Sequence, residues 1–185
     1  PTFAPNGTRI AYERNGIIYV KTLSTGIESQ ITSGIRVSSY PDWTPHGSYL
    51  VYQDDRAPAP SSSYNIQIVD STGLWIRSLS TNGGIYPSWS PGVTDVAYLD
   101  TGLPGLAVTS NTGVFQRRLT TNLGSRPTWS PDGSKIAFEN LLDGELYSIF
   151  SSATNGNASG LTNLTNHTAF DAVPDWNPGS GNVIG

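Results

Sequence analysis

One short element recurs five times along this chain of 185 residues, and a repeat at that spacing constrains the fold more than any other feature of the sequence. The copies are Pro1-Thr2-Phe3-Ala4-Pro5-Asn6-Gly7, Pro41-Asp42-Trp43-Thr44-Pro45-His46-Gly47, Pro87-Ser88-Trp89-Ser90-Pro91-Gly92, Pro127-Thr128-Trp129-Ser130-Pro131-Asp132-Gly133 and Pro174-Asp175-Trp176-Asn177-Pro178-Gly179. The aromatic positions 3, 43, 89, 129 and 176 lie 40, 46, 40 and 47 residues apart. Ten of the 13 prolines and four of the five tryptophans fall inside the element, which chance would not arrange. Pro-x-Trp ahead of a turn reads as a short strand whose large ring fills the gap between neighbouring sheets. The Pro-Asn-Gly or Pro-Asp-Gly that follows is turn chemistry, in which proline presets φ and glycine supplies the positive φ that other residues resist.

After each turn the pattern predicts a second strand, at Arg9–Arg14, Tyr49–Asp54, Asp95–Asp100 and Lys135–Asn140. Large side chains (Ile10 and Tyr12, Leu50 and Tyr52, Val96 and Tyr98, Ile136 and Phe138) alternate with the small Ala11, Val51, Ala97 and Ala137. Both faces are apolar, so the strand is expected inside a stack of sheets. A third strand is predicted near Ile17–Leu23, Asn65–Asp70, Leu106–Ser110 and Glu145–Ser151, then a Gly-bearing turn. A fourth is expected to end on Ile31-Thr32, Leu79-Ser80, Leu119-Thr120 and Leu164-Thr165. Four strands every forty-odd residues is one blade of a β-propeller.

These residues resemble the repeat of TolB-like propellers, most clearly in Trp129-Ser130-Pro131-Asp132-Gly133-Ser134-Lys135-Ile136-Ala137-Phe138, and the resemblance covers essentially the whole chain. Phe3 in place of Trp, and His46 and Gly92 in place of the turn Asp, are departures confined to single blades. The expected fold is all-β: a β-propeller of four four-stranded antiparallel blades, at about 1–40, 41–86, 87–126 and 127–173, plus the start of a fifth at 174–185. The fifth opening would compete with the first blade for one place, so the expectation is a ring of six or more blades. Its remainder would come from a longer parent chain or from a homodimer completing the ring. The chain has neither a signal peptide nor a methionine, which points to processing or to a longer parent.

Composition narrows the function. Apolar residues are 36% and charged residues 13%, too apolar for disorder and, with 20 Gly and 13 Pro, too rich in turn formers for a helical bundle. Ten basic residues, scattered among 14 acidic ones, form no stripe for phosphate, so nucleic acid is not an expected partner. Without cysteine there is neither a disulfide framework nor a thiolate metal site. No apolar run approaches a membrane span. Ser/Thr/Asn/Gly-rich loops and few lysines lean toward a secreted or periplasmic protein, and the TolB resemblance likewise implies an extracytoplasmic scaffold. Sequons at Asn6, Asn157, Asn163 and Asn166 matter only where the source glycosylates.

The recurring Trp, Pro and Gly are architectural, because a repeated residue makes the same packing contact in each copy. Function is expected where copies differ, on the face formed by the loops between second and third strands and by the crossovers. The candidate ligand-binding residues there are Arg36, Tyr40, Asp54, Asp55, Arg56, Tyr86, Arg126 and Asp171. Tyr40, Tyr86 and Arg126 immediately precede the inner-strand proline, so they should rim the central channel, and Tyr and Arg are common anchors of recognition surfaces. Gln53–Ser63 is read as a loop insertion on this face.

Catalysis finds little support. His46 and His167 fall on opposite faces, without partners for a triad or a His-based metal site. A cation site would draw first on Asp54 and Asp55, but adjacent residues of an extended chain point apart, so no metal or other cofactor is expected. The leading expectation is a non-catalytic module that binds a protein or peptide. The alternatives are the propeller domain of a larger peptidase or polysaccharide-degrading enzyme, and a glycan-binding propeller in which Tyr and Trp stack on carbohydrate.

Overall fold

The second strands form where alternation places them, because each presents one bulky and one small apolar face to a neighbouring sheet. The computed structural model describes residues 1–55, 64–80, 82–103, 105–114, 116–121, 124–150, 159–166 and 169–176. Blade 1 contains β1 (Thr2–Phe3), β2 (Arg9–Arg14), β3 (Ile17–Thr22) and β4 (Glu28–Gln30). Blade 2 contains β5 (Ser38–Trp43), β6 (Tyr49–Asp55), β7 (Tyr64–Asp70) and β8 (Trp75–Ser78). Blade 3 contains β9 (Ile85–Trp89), β10 (Asp95–Asp100), β11 (Gly105–Ser110) and β12 (Gln116–Arg118). Blade 4 contains β13 (Gly124–Trp129), β14 (Lys135–Asn140), β15 (Leu146–Phe150) and β16 (Thr162–Asn163). Each is a four-stranded antiparallel meander in sequence order, and no helix occurs among the described residues.

The core lies between blades. Ala11, Ile18 and Val20 of blade 1 pack against Trp43, Leu50, Tyr52 and Val69 of blade 2. Val51, Ile66 and Ile68 meet Trp89, Val96 and Tyr98, and Ala97, Leu106 and Val108 meet Trp129, Ile136 and Phe138. The small face of one blade therefore receives the bulky face and the tryptophan of the next. Trp43, Trp89, Trp129 and Trp176 are buried as the repeat implies, whereas Phe3, with no preceding blade against it, is 62% exposed.

The aliphatic-hydroxyl pair has a clear job. The fourth strand stops just before it, and its hydroxyl turns back to accept the N–H of the third strand. Thr32, Ser80, Thr120 and Thr165 accept from Ile18, Ile66, Leu106 and Leu146 at 3.0, 2.9, 3.1 and 3.2 Å. A buried donor that would otherwise lack a partner is satisfied in the same way in every blade.

Candidate functional site

In blades 2, 3 and 4 the inner strand begins earlier than the Pro-x-Trp element and carries a bulge at its proline. Pairing between β5 and β6 passes from Ser39↔Gln53 to Asp42↔Val51, three residues against two, which leaves Tyr40-Pro41 as the extra length. The same slip occurs between Ile85↔Leu99 and Ser88↔Ala97, and between Ser125↔Glu139 and Thr128↔Ala137. Proline has no N–H for the ladder, so a bulge is where a strand tolerates it. The residue before it becomes left-handed, with φ of 52° at Tyr40, 57° at Tyr86, 48° at Arg126 and 58° at Val173. A non-glycine residue held there costs roughly 1–2 kcal/mol.

Turned out of the pleat, these side chains line a central cavity of about 820 Å3. All five Pro-x-aromatic prolines line it too, with Tyr12, Glu13 and Asp42. Tyr40 and Tyr86 meet edge to face, ring centroids 4.6 Å apart. Arg126 lies over the Tyr86 ring at 5.2 Å and donates from Nη1 to Glu139 Oε2 at 3.1 Å. Side-chain hydrogen bonds link Tyr40, Tyr86 and Arg126 pairwise. Glu139 is almost wholly buried behind Arg126. Its counterpart in blade 2, Gln53, accepts the N–H of left-handed Tyr86 at 2.8 Å.

Burial pushes the Tyr86 hydroxyl above its ordinary pKa; Tyr40 adds to this and the Arg126 charge partly opposes it. Burial alone would lower Arg126, but the Tyr40 hydrogen bond and the Glu139 charge outweigh it, so the guanidinium stays cationic. These shifts give a cationic donor beside a neutral Tyr86 phenol, which is not prepared to act as a base.

Deeper in the channel, Asp42 ties blades together. Its Oδ1 accepts the Trp43 N–H at 3.0 Å and its Oδ2 accepts the Trp89 N–H of the next blade at 2.8 Å. Thr2 of the preceding blade adds a side-chain hydrogen bond. Burial pushes the carboxyl up to about 6, with the Trp89, Trp43 and Thr2 donors pulling it back. The indoles add a second tie, from Trp129 Nε1 to the Ser88 carbonyl and from Trp176 Nε1 to the Thr128 carbonyl, both at 3.0 Å.

The structure thus brings together Tyr40, Tyr86 and Arg126, and separates the other candidates from them. Arg36 is exposed and donates to the Asp55 carbonyl at 3.0 Å. The reading of Gln53–Ser63 as a loop is corrected at its start, because β6 runs on to Asp55 and pairs with β7 throughout. Asp54 is consequently a buried strand residue, not a surface anchor, and Asp55 is half-buried. Arg56 and His167 lie outside the described residues. Asp171 stands off the channel, its N–H donating to the Gly144 carbonyl at 2.7 Å. Among the described residues, no three His, Asp or Glu side chains converge as a metal site would need. Sequence reasoning missed Glu139, Gln53 and Asp42. Their signal was positional: Glu13, Gln53 and Glu139 each follow the second-strand aromatic, and the middle residue of Pro-x-Trp is polar in every copy.

No family model and no curated protein sequence matches the chain. Its structure matches that of a putative TolB from Agrobacterium tumefaciens with a TM-score of 0.81 at 19% identity, over 96% of this chain and 65% of that one. TolB from Acinetobacter baumannii matches with a TM-score of 0.69 at 20% identity, over 93% and 44%. The fold is that of a TolB β-propeller domain. The β-propeller domain of Cps50 (Swd1) from Myceliophteria thermophila is also similar, with a TM-score of 0.67 at 13% identity over 96% and 62%. The TolB-like chain spans less than two thirds of the length of each of these.

Proposed function

We propose that this TolB-like propeller is a non-catalytic docking module that takes a peptide segment of a partner protein into the mouth of its central channel. The observation that carries the reading is the repeated left-handed bulge, which gathers Tyr40, Tyr86 and Arg126 at one end of a cavity of about 820 Å3. Backbone strain retained at successive blades points to a use for the side chains it aims. Tyr and Arg in a partly desolvated setting are the residue types that dominate binding energy. Non-catalysis is part of the proposal: the charged side chains among the described lining residues are Glu13, Asp42 and Arg126, of which Asp42 is engaged by backbone donors, and neither histidine nor cysteine lies among that lining to form a nucleophile-base pair. A site outside the cytoplasm is proposed on the TolB likeness and the hydroxyl- and amide-rich loops.

The test is selection of peptides from a random displayed library on the 185-residue protein, followed by binding to the Tyr40→Ala/Arg126→Ala double variant. The reading expects the selected peptides to lose at least about tenfold in affinity, the scale of a hot-spot pair. Peptides that bind the double variant as tightly as the parent protein would overturn it.

A further inference from the structure

Resting on that docking reading, we infer that the channel ligand presents a carboxylate, received by Arg126 together with the hydroxyls of Tyr40 and Tyr86. The cluster is built of donors. A guanidinium carries five N–H groups and no acceptor. One of those groups is held by Glu139, and further interactions go to Tyr40 and Tyr86. A phenol oxygen that accepts from a guanidinium still has its own proton to give. Tyr40 and Tyr86 also contact each other, which leaves at least one hydroxyl proton of the pair available beside the remaining guanidinium edge. Convergent donors with a fixed cation match a carboxylate, whose two oxygens accept in one plane.

The nearby acids do not cancel this. Glu139 sits behind Arg126 with its side chain 2% exposed, so it orients the guanidinium without reaching the lumen. Asp42 is engaged by two backbone N–H groups and Thr2. Glu13 is the remaining lumen acid and accepts the Gly16 N–H at 2.8 Å. A carboxylate entering the channel is therefore drawn to the blade 4 side and repelled from the blade 1 side, which fixes its orientation. The rest of the wall favours a peptide over a uronic-acid glycan. Five pyrrolidine rings, the tyrosine faces and Val173 outnumber the hydroxyls of Ser39, Ser88 and Thr128 along that wall, which suits apolar side chains better than a chain of sugar hydroxyls.

The probes are acetyl-Pro-Ala-Pro-Ala with a free C-terminal carboxylate, the same peptide as its amide, and trigalacturonate. The readout is the Arg126 Nε–Hε resonance of the 185-residue protein, assigned with Arg126→Lys. The acid should move that resonance saturably, and the amide should bind at least about tenfold more weakly, as for a charge-assisted contact. Tyr40→Phe, which keeps the ring and removes only the hydroxyl, should weaken the acid and leave the amide unchanged. Equal binding of acid and amide overturns the carboxylate assignment while leaving the docking reading in place. No response of Arg126 to the acid overturns it as well, and the library selection then judges the docking reading by itself. Tighter binding of trigalacturonate than of the acid peptide overturns the peptide assignment in favour of a uronate.

Discussion

Asp42→Ala is the sharpest test of how the blades are joined. The substitution strips the acceptors from the Trp43 and Trp89 N–H groups and from Thr2 at once, loosening three blades. A buried donor left without a partner costs about 1–3 kcal/mol. Asp42 is half-buried and lines the channel, so in the variant solvent there would replace part of the loss, and we expect about 1–3 kcal/mol in total rather than twice that. The pH dependence is the distinguishing part. The folded pKa, about 6, is raised above the ordinary 3.8, so the carboxyl's contribution is fully present below the unfolded pKa and is lost as pH rises through the folded one. Between about pH 5 and about pH 8 the linkage amounts to at most roughly 1.4 kcal/mol, an upper figure because channel water screens the group. Urea unfolding followed by tryptophan fluorescence should therefore show Asp42→Ala costing more at the lower pH. A cost below about 0.5 kcal/mol at both, the size of a surface substitution, would refute the clasp. A cost that grows as pH rises would refute the assigned role of burial.

Three further outcomes follow from named contacts. Trp129→Ala removes a ring buried between blades 3 and 4 and its indole bond to Ser88, and should cost about 3–5 kcal/mol in the same assay. Thr120→Val keeps the shape but leaves the Leu106 N–H without its acceptor, so it should cost about 1–2 kcal/mol and speed hydrogen exchange at Leu106. Gly105→Ala should cost about 3 kcal/mol or more, read as a fall in the urea midpoint: its φ is +151°, and an added Cβ would run into the Thr120 carbonyl.

Much of this architecture could be read from residue order, and the parts that could not share a cause. The second strands were legible because alternation of large and small apolar residues is a local signal, and β10 and β14 match it residue for residue. The inner strands were placed too late. A Pro-x-Trp element looks like the beginning of a strand, whereas Ser38, Ile85 and Gly124 already belong to the sheet and the proline sits on a bulge within it. Nothing local to Tyr40 or Arg126 announces a left-handed conformation, which is imposed by pairing on both sides of the bulge. The fourth strands were drawn too long because the Leu-Thr pair reads as β-favouring, while its hydroxyl serves as an acceptor after the strand has ended. Asp54 misled for the opposite reason: two adjacent acids suggest a loop, but partners on both sides carry the strand through them. The placement of Tyr40, Tyr86 and Arg126 around the channel was legible because their position before the proline is fixed by the repeat. Glu139 was missed because its importance comes from Arg126, which is distant in sequence and adjacent only across the sheet.

The packing of small face onto bulky face runs the same way from blade to blade, and that gives the stack a polarity like that of a filament subunit. Every blade offers a small-residue flank on one side and an aromatic flank on the other, so two such stacks can meet end to end only as unlike surfaces. Contacts of the unlike kind either close on themselves, as two copies related by a twofold along the channel would, or propagate. The exposed aromatic flank of blade 1 carries its own guard. Arg14 lies across the Tyr19 ring at 4.1 Å and pairs with Glu28 at 2.6 Å, spreading a charged roof over Tyr12 and Tyr19. An exposed pair of this kind adds little to folding stability, and its effect is to put charge over what would otherwise be a bare aromatic surface.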